Sequence, residues 1–332
     1  MSLAQRVGQL FMVDCPTSVL AASTVRAIQQ YAVGSVILDG TSYAPSSTIA
    51  ALTSGLERAN PSAAKLFIAT DQEGGQVQRL RGPGFTPVPS AVQQGTIAPA
   101  QLRVQAREWG RELRAAGVNL DLAPVLDTVP ANSPGNPPIG DLDREYGRDP
   151  AAVTAHGVAV VDGLDASVAA TVKHFPGLGR VSGNTDLASG VTDTVTTRTD
   201  PYLAPFATAI RDRVPFVMMS TAIYARIDPN NPAAFSRTIV TGMLRQSLHF
   251  SGVIISDDLG QAAQVRSYSV SDRAVAFVAA GGDMVLTVDA TQAAAMTSAV
   301  LDRARTDSAF RTLVNDAALR ILETKDRFGL LD

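Results

Sequence analysis

Ala151-Ala152-Val153-Thr154-Ala155-His156-Gly157-Val158-Ala159-Val160-Val161-Asp162, a short turn, and then Val168-Ala169-Ala170-Thr171-Val172-Lys173-His174 hold the fold in miniature. The first part spaces its apolar residues for a helix packed along one side. The second is an unbroken apolar run, the pattern of a strand buried on both faces, ended abruptly by polar side chains. Working outward, the unit recurs. Short apolar runs stand at residues 10–13, 35–38, 66–69, 119–123, 216–219, 253–255 and 284–287. Helical patterns fall between them at residues 100–116, 201–213, 239–248 and 290–305, and a last helix covers residues 308–327 with Leu313, Ala317, Ile321 and Leu322 on its packing face and Gly329 as its stop. Gly34, Gly117, Gly252 and the pair Gly281-Gly282 precede runs, where a left-handed helix cap is expected.

Eight strands alternating with helices are the count of an α/β (β/α)8 barrel of the TIM type. An open doubly wound sheet fits less well. No G-x-G-x-x-G follows the first two runs, and no phosphate-binding loop motif occurs. At 332 residues the chain exceeds an ordinary domain, but barrels of this kind reach that size. No linker-like segment divides it, so residues 1–332 read as one domain.

Composition narrows the function. The chain is 45% apolar and 18% charged, with net charge −3 and pI near 5.7. It has no basic run to track a phosphate backbone, so nucleic acid is not expected as a partner. Cys15 is the only cysteine, and His156, His174 and His249 are the only histidines. Neither a disulfide nor a Cys/His metal centre is expected, and no cofactor is implied. No run of about 18 apolar residues is present to span a bilayer. The N-terminus enters an amphipathic pattern at once, so the chain as it stands reads as cytoplasmic. Removal of a leader would place it in the cell envelope or outside the cell. Oligomeric state is not legible.

A barrel gathers its chemistry at the C-terminal ends of its strands. The residues there are Asp14, Asp39, Asp71, Asp127, Lys173-His174, Ser220, Asp257-Asp258 and Asp289. Asp14, Asp39 and Asp289 suit strand ends and helix caps. Asp257-Asp258 differs, because two adjacent carboxylates facing one pocket are costly unless something pairs them. Lys173 is one of three lysines against 25 arginines. On a buried strand end it can pair with a carboxylate, donate to substrate hydroxyls, or act as an amine nucleophile in the manner of a Schiff-base aldolase. In the stretch Asp71-Gln72-Glu73-Gly74-Gly75-Gln76-Val77-Gln78-Arg79 the glycines permit a tight bend, and Arg79 can return to hold Asp71 or a ligand. Residues 177–200 are polar, aperiodic and long for a barrel loop, as a cover for the pocket would be.

These stretches resemble glycoside hydrolase family 3, in particular its single-domain bacterial β-N-acetylglucosaminidases of cell-wall turnover. Lys173-His174-Phe175-Pro176-Gly177-Leu178-Gly179 is similar to the family's K-H-F-P-G-H-G. Asp71 through Arg79 is similar to its D-x-E-G-G-x-V-x-R, and Ser256-Asp257-Asp258-Leu259 to its S-D-D-L. Gly8-Gln9-Leu10-Phe11, Arg144-Glu145-Tyr146-Gly147 and Arg320-Ile321-Leu322 with Lys325 extend the likeness along the chain. The resemblance implies a retaining β-glycosidase with a carbohydrate substrate, most closely terminal β-N-acetylglucosamine of cell-wall-derived or chitin-like sugars. By the same resemblance Asp257 is the nucleophile, and Asp71, Arg79, Arg144, Lys173 and His174 bind the sugar in the −1 subsite. Such contacts strengthen as an oxocarbenium-like transition state forms.

One departure stands out. The glucosaminidase branch carries D-S-H after strand five, its histidine being the general acid/base. Here the place reads Asn184-Thr185-Asp186, and Leu178 replaces the second histidine of K-H-F-P-G-H-G. Without a gap Asp186 falls on the histidine. Slid by two residues it falls on the aspartate, and Ala188 takes the histidine's place. His156 and His249 lie on other helical segments. Asp186 is therefore the expected acid/base of a working enzyme, its pKa raised under the closed loop. The alternatives are an impaired or sugar-binding family member, or a glycosidase for other sugars.

Overall fold

A computed structural model describes residues 1–331. Eight parallel strands close into a barrel in chain order: β1 Phe11–Pro16, β2 Ser35–Asp39, β3 Phe67–Thr70, β4 Leu120–Asp121, β5 Ala169–Phe175, β6 Phe216–Met219, β7 Val253–Asp258 and β8 Met284–Thr287. Phe11 pairs with Val285, so β8 returns to β1 and no edge is left open. Every residue of β3, β5, β6 and β8 is buried. That explains why these strands read as continuous apolar runs rather than alternating ones. Several helices between the strands bury one stripe. Pro99–Ala115, for example, turns Leu102, Ala106, Trp109 and Leu113 inward. Pro150–Leu164 is buried more widely, with Ala159, Val160 and Val161 all inside.

Several expected boundaries shift for local reasons. β4 stops early, since Pro124 has no N–H to extend the ladder. The helix expected at residues 201–213 opens with a single tight turn, Pro201–Leu203, before Ala204–Arg211. The one expected at 239–248 is wound over Thr238–Ser247 with five-residue spacing, Leu248 N–H donating to Met243 O at 2.9 Å. Gly117 and Gly281 do take left-handed φ, but Gly34, Gly252 and Gly282 do not; Ala32 and His249 turn left-handed instead. Gly34 and Gly252 are needed for closeness. A Cβ on Gly34 would lie 2.5 Å from Gln9 Oε1, and one on Gly252 would lie 2.4 Å from Pro215 O.

The N-terminal end of the barrel is sealed by Phe67 and Phe216, edge to face at 5.2 Å. Beneath them Lys325, from the last helix Ser308–Arg327, donates to Gln9 Oε1 at 2.8 Å and Gly34 O at 2.9 Å. At the opposite end the connections lengthen. The 72–78 hairpin, the segment after β4 and residues 177–200 rise over the strand ends. Thr192–Asp193 joins a small three-stranded sheet with Ile223–Tyr224 and Asp228–Pro232. The Ala123–Pro124, Lys173–His174 and Phe175–Pro176 peptide bonds are cis. No helix of the described residues is long and apolar enough to cross a membrane.

Candidate active site

Two of the barrel ladders carry an extra residue at the C-terminal end. Between β5 and β6, Val172 pairs with Val217 but Phe175 with Met219. Between β7 and β8, Ile255 pairs with Met284 but Asp258 with Leu286. Each bulge re-aims the side chains at it. As a result the consecutive pairs Lys173-His174 and Asp257-Asp258 line one cavity of about 460 Å³ at the mouth of the barrel. Asp71, Arg79, Arg144 and Asp186 line it too, so the seven residues given catalytic or sugar-binding roles from sequence meet there, with Asp258 beside them.

The wall opposite β7 is a charged network. Lys173 Nζ lies 2.6 Å from both Asp71 Oδ1 and Glu73 Oε1. Arg144 grips the Glu73 carboxylate in a two-point fork at 2.8 and 2.7 Å, and also donates to Pro138 O. Burial alone would push Glu73 toward neutrality, but Arg144 and Lys173 outweigh it and hold the carboxyl well below the usual range. Burial likewise works to lower Lys173, yet Asp71 and Glu73 raise it. The amine is therefore a firmly held ammonium, which corrects the Schiff-base alternative: a protonated amine is no nucleophile. Of the two partners expected for it, Asp71 or a ligand, Arg79 does not pair with Asp71. Its guanidinium reaches the cavity and makes no bond among the described residues, with Nε buried and unpartnered.

His174 donates Nδ1–H to Asp127 Oδ2 at 2.7 Å; the carboxylate accepts only, so the proton is fixed on Nδ1 and Nε2 is left for a ligand. The other Asp127 oxygen takes the N–H groups of His174 and Leu178 at 3.2 and 2.8 Å.

The two aspartates of β7 differ sharply. Asp258 is spent on structure: its carboxylate accepts from Gly260, Gln261, Ala262 and Val288 N–H at 2.7–3.1 Å. Asp257 accepts only from the next residue's N–H at 2.9 Å and is otherwise open to the cavity. Burial raises its pKa and Asp186 adds to that, while His174 and Lys173 pull the other way. Asp14 and Asp289 are bonded to backbone N–H groups of Ala290 and Thr291, the capping role expected of them. Asp39 accepts from Gly40 N–H and also reaches the cavity rim. Ser220 is buried and accepts from Ala222 N–H, away from the cavity.

Residues 177–200 fold over this mouth, and Leu178, Asn184, Thr185 and Asp186 line it from above. Asn136 bonds Leu178 O and Val181 O at 2.8 and 2.9 Å, and Arg180 pairs with Asp200 at 2.7 Å across the base of the loop. Asp186 is exposed to the solvent of the cleft, yet the walls round it remove enough water to raise its pKa. His174 opposes that shift, and Asp258 reinforces it. His156 is bonded to Ala152 O and Ile97 O and stays out of the cavity.

Sequence reasoning missed Glu73 as the hub of the ion network and Asp127 as the partner of His174, although both lay in quoted stretches. It missed Asp121 altogether, a buried carboxyl beside the network whose pKa burial pushes up to about 8. Among the described residues no cluster of three or more His, Cys, Asp or Glu is placed to hold a metal.

A closed parallel barrel with an open carboxylate, a second carboxylate above it and a wall of donors and cations is built for a polar, hydroxyl-rich substrate. The known proteins it resembles agree. The model of the glycosyl hydrolase family 3 N-terminal domain matches residues 2–324. A β-N-acetylhexosaminidase structure from Beutenbergia cavernae is 46% identical with a TM-score of 0.97, covering 98% of this chain and 99% of that one. A family 3 β-N-acetylglucosaminidase from a Paenibacillus species is 32% identical with a TM-score of 0.89, covering 99% of this chain and 63% of that one. A curated β-hexosaminidase from Xanthomonas oryzae is 35% identical over 302 residues, 88% of this chain and 87% of its own. The chain belongs to glycosyl hydrolase family 3 and is a glycoside hydrolase.

Proposed function

We propose that this chain is a retaining exo-β-N-acetylhexosaminidase acting on terminal β-N-acetylglucosamine, in which Asp257 is the nucleophile and Asp186 the general acid/base. The observation that carries the reading is the placing of Asp186 on the loop over the cavity, in electrostatic reach of His174 and Asp257. The names of the relatives support the sugar, and cell-wall fragments or chitin-like oligosaccharides fit an exo-acting enzyme of this kind.

The chemistry follows from the environments. Asp257 must be ionised to attack the anomeric carbon, and Lys173, His174 and the Asp258 N–H favour its charge. Burial raises the pKa of both carboxyls, so the division of labour rests on place: Asp257 stands at the strand end and Asp186 on the loop over the same cavity, on the side of a departing oxygen. When Asp257 forms the glycosyl bond, the Asp186 proton passes to the departing glycosidic oxygen. Asp186 then takes a proton from the water that opens the ester. Asp71, Lys173, Arg144, His174 and Arg79 grip the ring hydroxyls, and Arg79, unpartnered among the described residues, has the most donors to give.

Paired aryl β-N-acetylglucosaminides test this. A good leaving group departs without protonation and reports on Asp257 alone, whereas a poor one needs the acid. The wild type cleaves both. Asp186→Ala loses roughly 10²–10⁴-fold in kcat/KM on the poor substrate and little on the activated one. An unchanged rate on the poor substrate overturns Asp186, and a wild type confined to activated glycosides is an impaired, sugar-binding protein.

A further inference from the structure

Among the described residues the Asp186 carboxylate has no hydrogen-bond partner, so its position is set by what holds its loop. Within the loop, Asp186 N–H donates to Asn184 Oδ1 at 2.9 Å, a local turn that fixes shape but not place. Place comes from the segment that follows the nucleophile. Ala263 N–H donates to Asp186 O at 3.1 Å and Gln264 N–H to Thr185 O at 3.0 Å. A few residues on, the Gln264 side chain makes a second attachment. Its Oε1 accepts from Val191 N–H at 2.9 Å and its Nε2 donates to Val191 O at 3.2 Å.

An amide is the side chain that sets an acceptor and a donor side by side, so it can satisfy both backbone groups of one residue as a neighbouring strand would. Gln264 and Val191 are buried, whereas residues 186–190 between the two attachments are exposed. The tip bearing the acid is thus tethered on both sides to one short turn. That turn is fixed in its own right by the Asp258 carboxylate, which gathers the N–H groups of Gly260, Gln261 and Ala262.

We propose that Gln264 is a positioning residue for glycoside cleavage: by clamping Val191 it holds the loop of Asp186 onto the turn that continues from Asp257, and so fixes the acid relative to the leaving oxygen. The inference rests on the reading of Asp186 as acid/base. A misplacement near 1 Å at a proton-transfer site costs on the order of 10²-fold in rate.

The test compares wild type, Gln264→Ala, Gln264→Glu, Asp186→Ala and the double variant Asp186→Ala/Gln264→Ala on the two aryl N-acetylglucosaminides. Gln264→Ala lowers kcat/KM on the poor leaving group by about 10- to 10²-fold and on the good one by less than about threefold. Gln264→Glu keeps the bond from Val191 N–H, loses the donor to Val191 O, and falls between; it also serves if the alanine variant does not fold. The double variant matches Asp186→Ala within about twofold, because clamping an absent acid changes nothing. Equal losses on both substrates in Gln264→Ala, or none on either, overturn the positioning role while a selective Asp186→Ala leaves the acid/base reading standing. An Asp186→Ala that is not selective sinks the acid/base reading, and this inference with it.

Discussion

Lys173 and Lys325 are two of the chain's three lysines, both are buried, and they occupy opposite ends of the barrel. Their surroundings differ in kind. At the mouth Lys173 bridges two carboxylates, which raise its pKa. At the floor Lys325 is held by neutral oxygens of Gln9 and Gly34, and burial lowers its pKa to about 7. The floor holds another buried charge, Asp283, and it too is fully served, by Arg245, Arg320 and Ile254 N–H. The mouth is not closed in this way: Arg79, Asp257 and Asp186 keep donors and acceptors that no group of the described residues satisfies. Buried polar atoms without a partner also occur away from the cavity, at Ser35, Thr171 and Arg245 Nε among others. What marks the mouth is that its open groups converge on one cavity, where a ligand can complete them.

The comparison can be broken at either end. The largest effect is expected from Asp257→Ala, which leaves the barrel intact and lowers kcat on any glycoside by on the order of 10⁴-fold or more, read as initial rates on the activated substrate. A loss of only a few-fold would mean that the open carboxylate of β7 is not the nucleophile. Next comes Lys173→Met, which strands Asp71 and Glu73 without their shared cation. Urea unfolding at pH 7 is expected to show a loss of about 3 kcal/mol, and a midpoint equal to the wild type's would show that Arg144 alone suffices for Glu73.

Lys325→Met sharpens the contrast by its sign. The folded pKa, about 7, lies below the ordinary value of 10.5, so between those pH values the unfolded chain binds more protons. Wild-type stability therefore rises as pH climbs from about 7 toward 10, by a few kcal/mol at most. The methionine variant lacks that slope. Its urea midpoint relative to wild type should be most favourable near pH 6 and fall away by pH 9.5. Parallel pH curves for the two proteins would show that Lys325 is not the group titrating at the floor.

Much of this was legible beforehand because strands buried on both faces write themselves as apolar runs. Phe216–Met219, Met284–Thr287 and Ser308–Arg327 end where the pattern ends. The site residues were legible as polar groups terminating those runs, and the family likeness supplied their expected roles. What stayed hidden depends on neighbours distant in sequence. The bulges exist only in the pairing of one strand with the next. Asp127 meets His174 across 47 residues, and Gln264 meets Val191 across 73. Gly34 and Gly252 looked like caps because a glycine's need for closeness and its tolerance of left-handed φ leave the same letter in the sequence.

The extra residue in β5, and its counterpart in β7, act on facing much as an inserted base acts on a reading frame. A plain strand has parity: odd residues face one way, even residues the other, and each strand end delivers one side chain to the mouth. By breaking parity at the last step, β5 delivers Lys173 and His174 together, and β7 delivers Asp257 and Asp258. The same slip insulates the two halves of each strand, since the packing frame ends where the chemical frame begins. Deleting one residue at either bulge would restore regular alternation, at the expense of one of the two side chains that the strand end now brings to the mouth.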